Sequence, residues 1–403
     1  MRTAGALLLL MACSGGGVVA QQSTSTYRQE SVAAHTHGTA VAVALRVPAG
    51  SGSDPAGLEG AAWLLGRVLE EQINRALDPA AGVVTVSVDR SSTVVTLLAV
   101  PDGWRATWER VDAVLFRTPL DVAVLDRLRA EHLQHLAFEA GSPFRDFQGR
   151  AAGLLADPGS PFTRAPHGSA GSVAGIGVPT LEAFRAAHLR RDASARSVVG
   201  PVRDDLPATS APAAPPAADD VAWLTGDRIV QVEDVTSTWI SVAYPVPSGL
   251  PRTHLDLVAH LLREELDPTP PPPDRYGLDV RIEETPRGPV LVVEASVFPE
   301  AAGTWESRIV GVVGGLASEH MGEDFFRWRR RRFRAALLLR ESAPEAEAQR
   351  ATADLLRDGR VRDLTGEIWG LDAGALRLAA ASLGPPRVFV LGPDLAQEGG
   401  AGR

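Results

Sequence analysis

Residues 203–220, RDDLPATSAPAAPPAADD, constrain this chain more than any other stretch. Proline and alanine dominate, acids sit at both ends, and no apolar periodicity runs through. Such a segment cannot enter a core and acts as a stiffened connector. It divides 403 residues, too many for one ordinary core, into two halves of similar size. Each half then shows the same order of patterns. In the first, residues 39–47 read as a strand, a helix runs from Gly57 to about Leu77, and the Val/Thr-rich stretches within 83–100 read as an antiparallel pair. Helices follow at 104–116, 121–140 and 180–188, and SVVGPV closes the half as a strand. In the second, 237–246 reads as a strand, 254–266 as a helix, 276–283 and 290–297 as strands, and 302–318 and 323–340 as helices. RVFVLGP at 387–393 echoes the earlier closing strand. This repetition predicts an α+β protein of two similar domains, 37–202 and 221–395, joined by the 203–220 linker and followed by a tail at 396–403.

The first twenty residues form a signal segment, with Arg2 ahead of an apolar run too short to span a bilayer. Cys13, the chain's single cysteine, follows Leu10-Met11-Ala12 in a sequence that resembles a bacterial lipobox. On that reading Cys13 is lipidated, and the protein is periplasmic and anchored at the outer membrane. The competing reading is cleavage after Ala20. Both export the chain, and a lone cysteine excludes an internal disulfide. Residues 21–36 are read as a polar leader. A net charge of −9 argues against nucleic acid as a partner. The one dense basic run, RWRRRRFR at 327–334, is read as a helix face with Phe326, Phe333 and Leu337 turned inward. The alternative for that run is a docking surface for an acidic partner or phospholipid headgroups.

The stretch that carries chemical information is 46–72, RVPAGSGSDPAGLEGAAWLLGRVLEEQ. It reads as a strand end, a Gly/Pro/Asp turn, and a helix with an apolar start. It resembles the opening of the M16 metallopeptidases, the family of insulin-degrading enzyme, pitrilysin and the mitochondrial processing peptidase. In that family a similar turn feeds a helix carrying His-x-x-Glu-His, whose histidines hold zinc and whose glutamate activates water. The likeness extends to 154–171 and 176–188. It implies two homologous domains of the processing-peptidase type, together forming half of a clamshell.

Aligned on Gly57 and Gly60, the zinc positions fall on Trp63, Gly66 and Arg67. An indole, a hydrogen atom and a permanent cation cannot replace two imidazoles and a carboxylate. The resemblance places a third ligand on Glu131, a remnant without its companions. Active members also carry a Gly/Ser/Arg passage and an Arg/Tyr pair that contacts substrate. Arg263, within LLREE, and Tyr276 are the positions here that match, while the passage itself is missing.

The resemblance therefore implies a non-catalytic subunit that binds peptides or unfolded polypeptide and pairs with an active M16 peptidase, zinc residing in the partner and not here. One alternative is a stand-alone peptide-binding or scaffold lipoprotein. Another is a zinc peptidase with non-standard ligands drawn from His35, His37, Glu70, Glu71, Glu131, His132 and His135, although their spacing gives no three-ligand site with a spare carboxylate base.

Overall fold

The computed structural model describes residues 27–34, 38–156, 159–202, 228–232, 234–318 and 322–393. Cys13, His35, His37, the 203–220 linker and the 396–403 tail lie outside the described residues.

The first half orders β1 (Gln29–Ala34), β2 (Val41–Val47), α1 (Ala61–Ala76), β3 (Gly82–Val88), β4 (Thr93–Ala99), α2 (Trp104–Phe116), α3 (Val122–Glu139), α4 (Pro143–Ala151), α5 (Ala170–Ala174), α6 (Val178–His188) and β5 (Ala195–Gly200). The second half repeats this order with β6 (Arg228–Val232), β7 (Thr238–Pro245), α7 (Arg252–Leu266), β8 (Arg275–Thr285), β9 (Gly288–Val297), α8 (Ala302–Ser318), α9 (Glu323–Arg340), α10 (Pro344–Asp358), α11 (Leu364–Trp369), α12 (Ala373–Ser382) and β10 (Arg387–Gly392).

The two sheets have one topology, β1-β5-β2-β4-β3 and β6-β10-β7-β9-β8. In each, the first strand runs parallel to the last and every other pairing is antiparallel. Helices pack on one face to form two separate cores. In α1 the buried residues Leu64, Leu65, Val68, Leu69 and Ile73 recur at helical spacing, which lays the helix on its sheet.

The other face of each sheet is covered by the opposite half. Phe147 of α4, with Leu154 and Leu155 just beyond it, packs on Ala243, Val292, Phe389 and Leu391 of the second sheet. The Phe147 and Phe389 rings lie 5.8 Å apart, and Arg387 donates to the Leu154 carbonyl at 3.0 Å. Reciprocally, α10 lies on the first sheet, where Ala348 meets Ala42, Ala44 and Val199. These small side chains let helix and sheet approach closely.

The structure differs from the sequence reading at the N-terminus. Part of the segment read as a leader forms β1, paired with β5 from Gln29↔Ala195 to Ala34↔Gly200. Tyr27 ahead of it is buried and donates to Asp112 Oδ1 at 2.8 Å. A mostly polar segment is thus tied down by one aromatic anchor and a strand edge. Helices α4 and α10, unmarked in the sequence, are the two that cross between halves.

Candidate functional site

The turn before α1 is organised by Asp54, whose carboxylate accepts from the Gly60 and Ala62 N–H groups, each at 2.7 Å. It thereby occupies backbone donors that the helix start leaves unpaired. Burial pushes this carboxyl up to about 6, against the two N–H bonds that favour its charged form. Gly60 has φ +96°, and a Cβ there would lie 2.8 Å from the His167 carbonyl oxygen. The turn therefore needs glycine twice over, for its left-handed backbone and for the loop lying against it.

The helix then presents Trp63, Gly66 and Arg67. Trp63 stacks on His132 of α3, ring centroids 4.0 Å apart at 30°, and lies 5.6 Å from the His167 ring. His132 is buried, and its Nε2 is 2.8 Å from the His167 carbonyl oxygen. A carbonyl only accepts, so Nε2 holds the proton and is not available to a metal. Gly66 is buried beneath β3, where a Cβ would meet Val88 Cγ2 at 2.8 Å and Val86 Cγ1 at 3.2 Å. Arg67 is tied to Glu70 at 2.9 Å.

The side chains offered as alternative ligands are engaged elsewhere. Glu70 also accepts from the Val86 N–H at 3.3 Å. Glu71 pairs with Arg75 and Arg127. Glu131 pairs with Arg127 at 2.6 Å, so the α3 residue that meets Trp63 is His132, one position on. His135 sits 3.2 Å from Glu139. Among the described residues, no group of three or more His, Cys, Asp or Glu side chains converges as a metal site. The donor set at Trp63, Gly66 and Arg67 does not fit zinc.

A polar cleft of about 630 Å³ adjoins this site. The first half contributes Arg90, His135, Glu139, Arg145 and His167, and the second contributes Arg281 and Glu294. Arg281 grips both Glu294 carboxylate oxygens at 2.8 Å. The second-half residues sharing the cleft thus come from β8 and β9, not from the Arg263/Tyr276 pair taken from the resemblance. Arg263 lies on α7, the repeat equivalent of α1, and donates to the Val280 carbonyl on β8. Tyr276 is 59% exposed and packs edge-on against Phe298. In the first half Asn74 of α1 does what Arg263 does in the second, bonding both N–H and C=O of Val84 on β3 at 2.9 and 2.7 Å. Both edge strands are partly closed by their own helices, which guards against unwanted pairing.

His167 and Arg145 were not singled out in the sequence. Nothing in the local sequence around them signals a role, because they reach the site only through a loop and a helix that return from elsewhere.

Burial holds both His132 and His167 below the usual imidazole value; His135 and Arg145 push the same way, and Glu139 opposes them. The unfolded chain therefore takes up protons near pH 6.5 that the folded state refuses. The contribution of these two imidazoles is expected to be full above that pH and to be lost as pH falls below it, while Asp54, held up to about 6 in the fold, works the other way as it takes up its proton. Thermal unfolding between pH 7.5 and 5 checks this, and His132→Gln should flatten the dependence. An equally steep profile in that variant would assign it elsewhere.

No family profile and no curated protein matches the sequence. Solved structures do match over most of its length. A protease from Helicobacter pylori superposes with TM-score 0.70 at 14% identity, covering 91% of this chain and 100% of that one. The M16 peptidase inactive domain from Pseudomonas fluorescens gives 0.69 at 15%, covering 91% and 95%. The fold is that of the M16 peptidases. The periplasmic protease PqqL from Escherichia coli gives 0.68 at 14%, covering 90% of this chain but 44% of its own. Within this fold the present chain carries no metal-binding cluster among its described residues, and the helix positions that the M16 resemblance assigns to zinc hold Trp63, Gly66 and Arg67.

Proposed function

We propose that this protein is a non-catalytic M16-type subunit that pairs with an active zinc M16 peptidase and completes a chamber around peptides or unfolded polypeptide. The observation that carries this reading is the Trp63–His132 stack at 4.0 Å, which fills the zinc position with packed rings while the surrounding fold is kept. The pairing itself comes from the family resemblance: the match spans 44% of PqqL but the whole length of the Helicobacter pylori protease. The polar cleft around His135, Arg145 and Arg281 offers both signs of charge to polypeptide entering such a chamber. Tyr276 is the remaining substrate-contact candidate, because its ring is exposed and Arg263 is committed to β8.

The reading includes export, with Cys13 as lipid attachment point and the outer membrane as site. Among the described residues no helix is long and apolar enough to cross a membrane. Capture of the full chain from native membranes is expected to bring down an M16 peptidase with an intact His-x-x-Glu-His and zinc-dependent cleavage of unfolded protein. Capture of the chain alone would favour the stand-alone scaffold.

A further inference from the structure

Helices α7, α8, α9 and α12 enclose a groove of about 800 Å³, formed wholly by the second half. Its wall includes a glycine. Gly311 of α8 lies in the wall, and a Cβ there would meet no atom within 4 Å. Leu316, Phe325 and Leu376 supply apolar surface. Phe325 is 49% exposed and stacks, at 5.9 Å, on Trp328, which is 46% exposed.

The charge of the lining runs against that of the whole chain. Arg308, Arg329 and Arg377 face one carboxylate, that of Glu265. Arg329 already holds that carboxylate and, at 2.9 Å, Glu264, while its Nε is buried without a partner. Arg308 donates to a neutral acceptor, the Glu265 backbone carbonyl at 2.9 Å, and lies 4.9 Å over the Trp305 ring. Even with Glu264 counted beside Glu265, three guanidinium groups face two carboxylates, which leaves the groove positive in a protein whose net charge is −9.

An apolar slot with a few convergent polar groups is the usual form of a small-molecule site, and this one presents cationic donors with few acceptors. A peptide would leave its N–H groups unpaired there. An acyl chain has none, and an acidic head would meet guanidinium groups suited to carboxylate or phosphate. We propose that this groove binds a single-chain anionic amphiphile, the chain lying along Gly311, Leu316 and Leu376 and the acidic head at Arg308 and Arg377.

The full chain is titrated, below micelle-forming concentrations, with oleate, with oleoyl lysophosphatidylglycerol and with oleyl alcohol, read by tryptophan fluorescence and calorimetry. At least one acidic amphiphile is expected to bind saturably, about tenfold or more tighter than the alcohol, as a charge-assisted contact implies. Oleate alone would identify a free fatty acid as the source, and the lysolipid alone a phospholipid. Gly311→Leu is expected to abolish binding by filling the slot. Circular dichroism should show that variant folded, because leucine is the better helix former at an open position. Arg377→Gln is expected to bring acid binding toward that of the alcohol. Equal binding of acid and alcohol, unchanged binding in folded Gly311→Leu, unchanged acid preference in Arg377→Gln, or no saturable binding would each overturn the proposal.

Discussion

Replacing Asp354 by alanine is expected to destabilise the protein by about 3–5 kcal/mol, the cost of leaving buried charges without their counter-ion. The Asp354 side chain is 1% exposed. It accepts from Arg350 at 2.9 Å, Arg357 at 2.6 Å and Arg362 Nε at 2.8 Å. Truncation leaves each guanidinium only its secondary contact, such as Arg350 with Glu341 at 2.5 Å or Arg362 with Asp256 at 3.3 Å. The carboxylate belongs to α10, the helix by which the second half covers the first sheet. Thr352 on the same helix accepts from Arg46 Nε at 3.4 Å, and Gln349 donates to Thr96 at 2.9 Å. The loss should therefore appear in the unfolding of both halves. Asp354→Asn, which keeps one acceptor and no charge, should fall between. Denaturant unfolding measures all three, and a change below about 1 kcal/mol for the alanine variant, as for an exposed ion pair, would show that the cluster does not hold α10 in place.

Rebuilding the missing motif as Trp63→His, Gly66→Glu and Arg67→His is expected to yield neither bound zinc nor hydrolysis, and to reduce stability. A side chain at position 66 enters space held by Val88 and Val86, an overpacking cost of about 1–3 kcal/mol, to which a poorly solvated carboxylate adds. Loss of the Trp63–His132 stack removes roughly a further 0.5–1.5 kcal/mol. The third position is not waiting either, because His132 points its proton at the His167 carbonyl and Glu131 is held by Arg127. Packed rings and β3 side chains occupy the space around these three positions. A triple variant that binds one zinc and cleaves peptide would show instead that the pocket is intact and only its ligands were exchanged.

Much of the fold was legible because its signals are local. Val/Thr-rich stretches marked β3 and β4, and the apolar face of AAWLLGRVLEE marked α1. Phe326, Phe333 and Leu337 face inward on α9 as their spacing requires. Elements defined by distant partners were not legible. Strand β1 is read from polar residues whose ordering comes from β5, and α4 and α10 carry modest local patterns because their apolar faces are completed by the opposite sheet. At the site, the loss of zinc ligands was visible in the side chains themselves. Which α3 residue meets Trp63 was not: the resemblance assigned the remnant ligand to Glu131, and Trp63 stacks on its neighbour His132. Arg263 looked like a substrate contact by its neighbours in sequence, and its position on the repeat equivalent of α1 gives it a structural bond to β8 instead.

The most direct test of the central claim is elemental analysis of the purified full chain together with a peptide-cleavage assay on the same sample. The account predicts no stoichiometric metal and no chelator-sensitive cleavage by the chain alone. One zinc per chain with cleavage abolished by a chelator would contradict it and return the ligand search to residues outside the Trp63 helix.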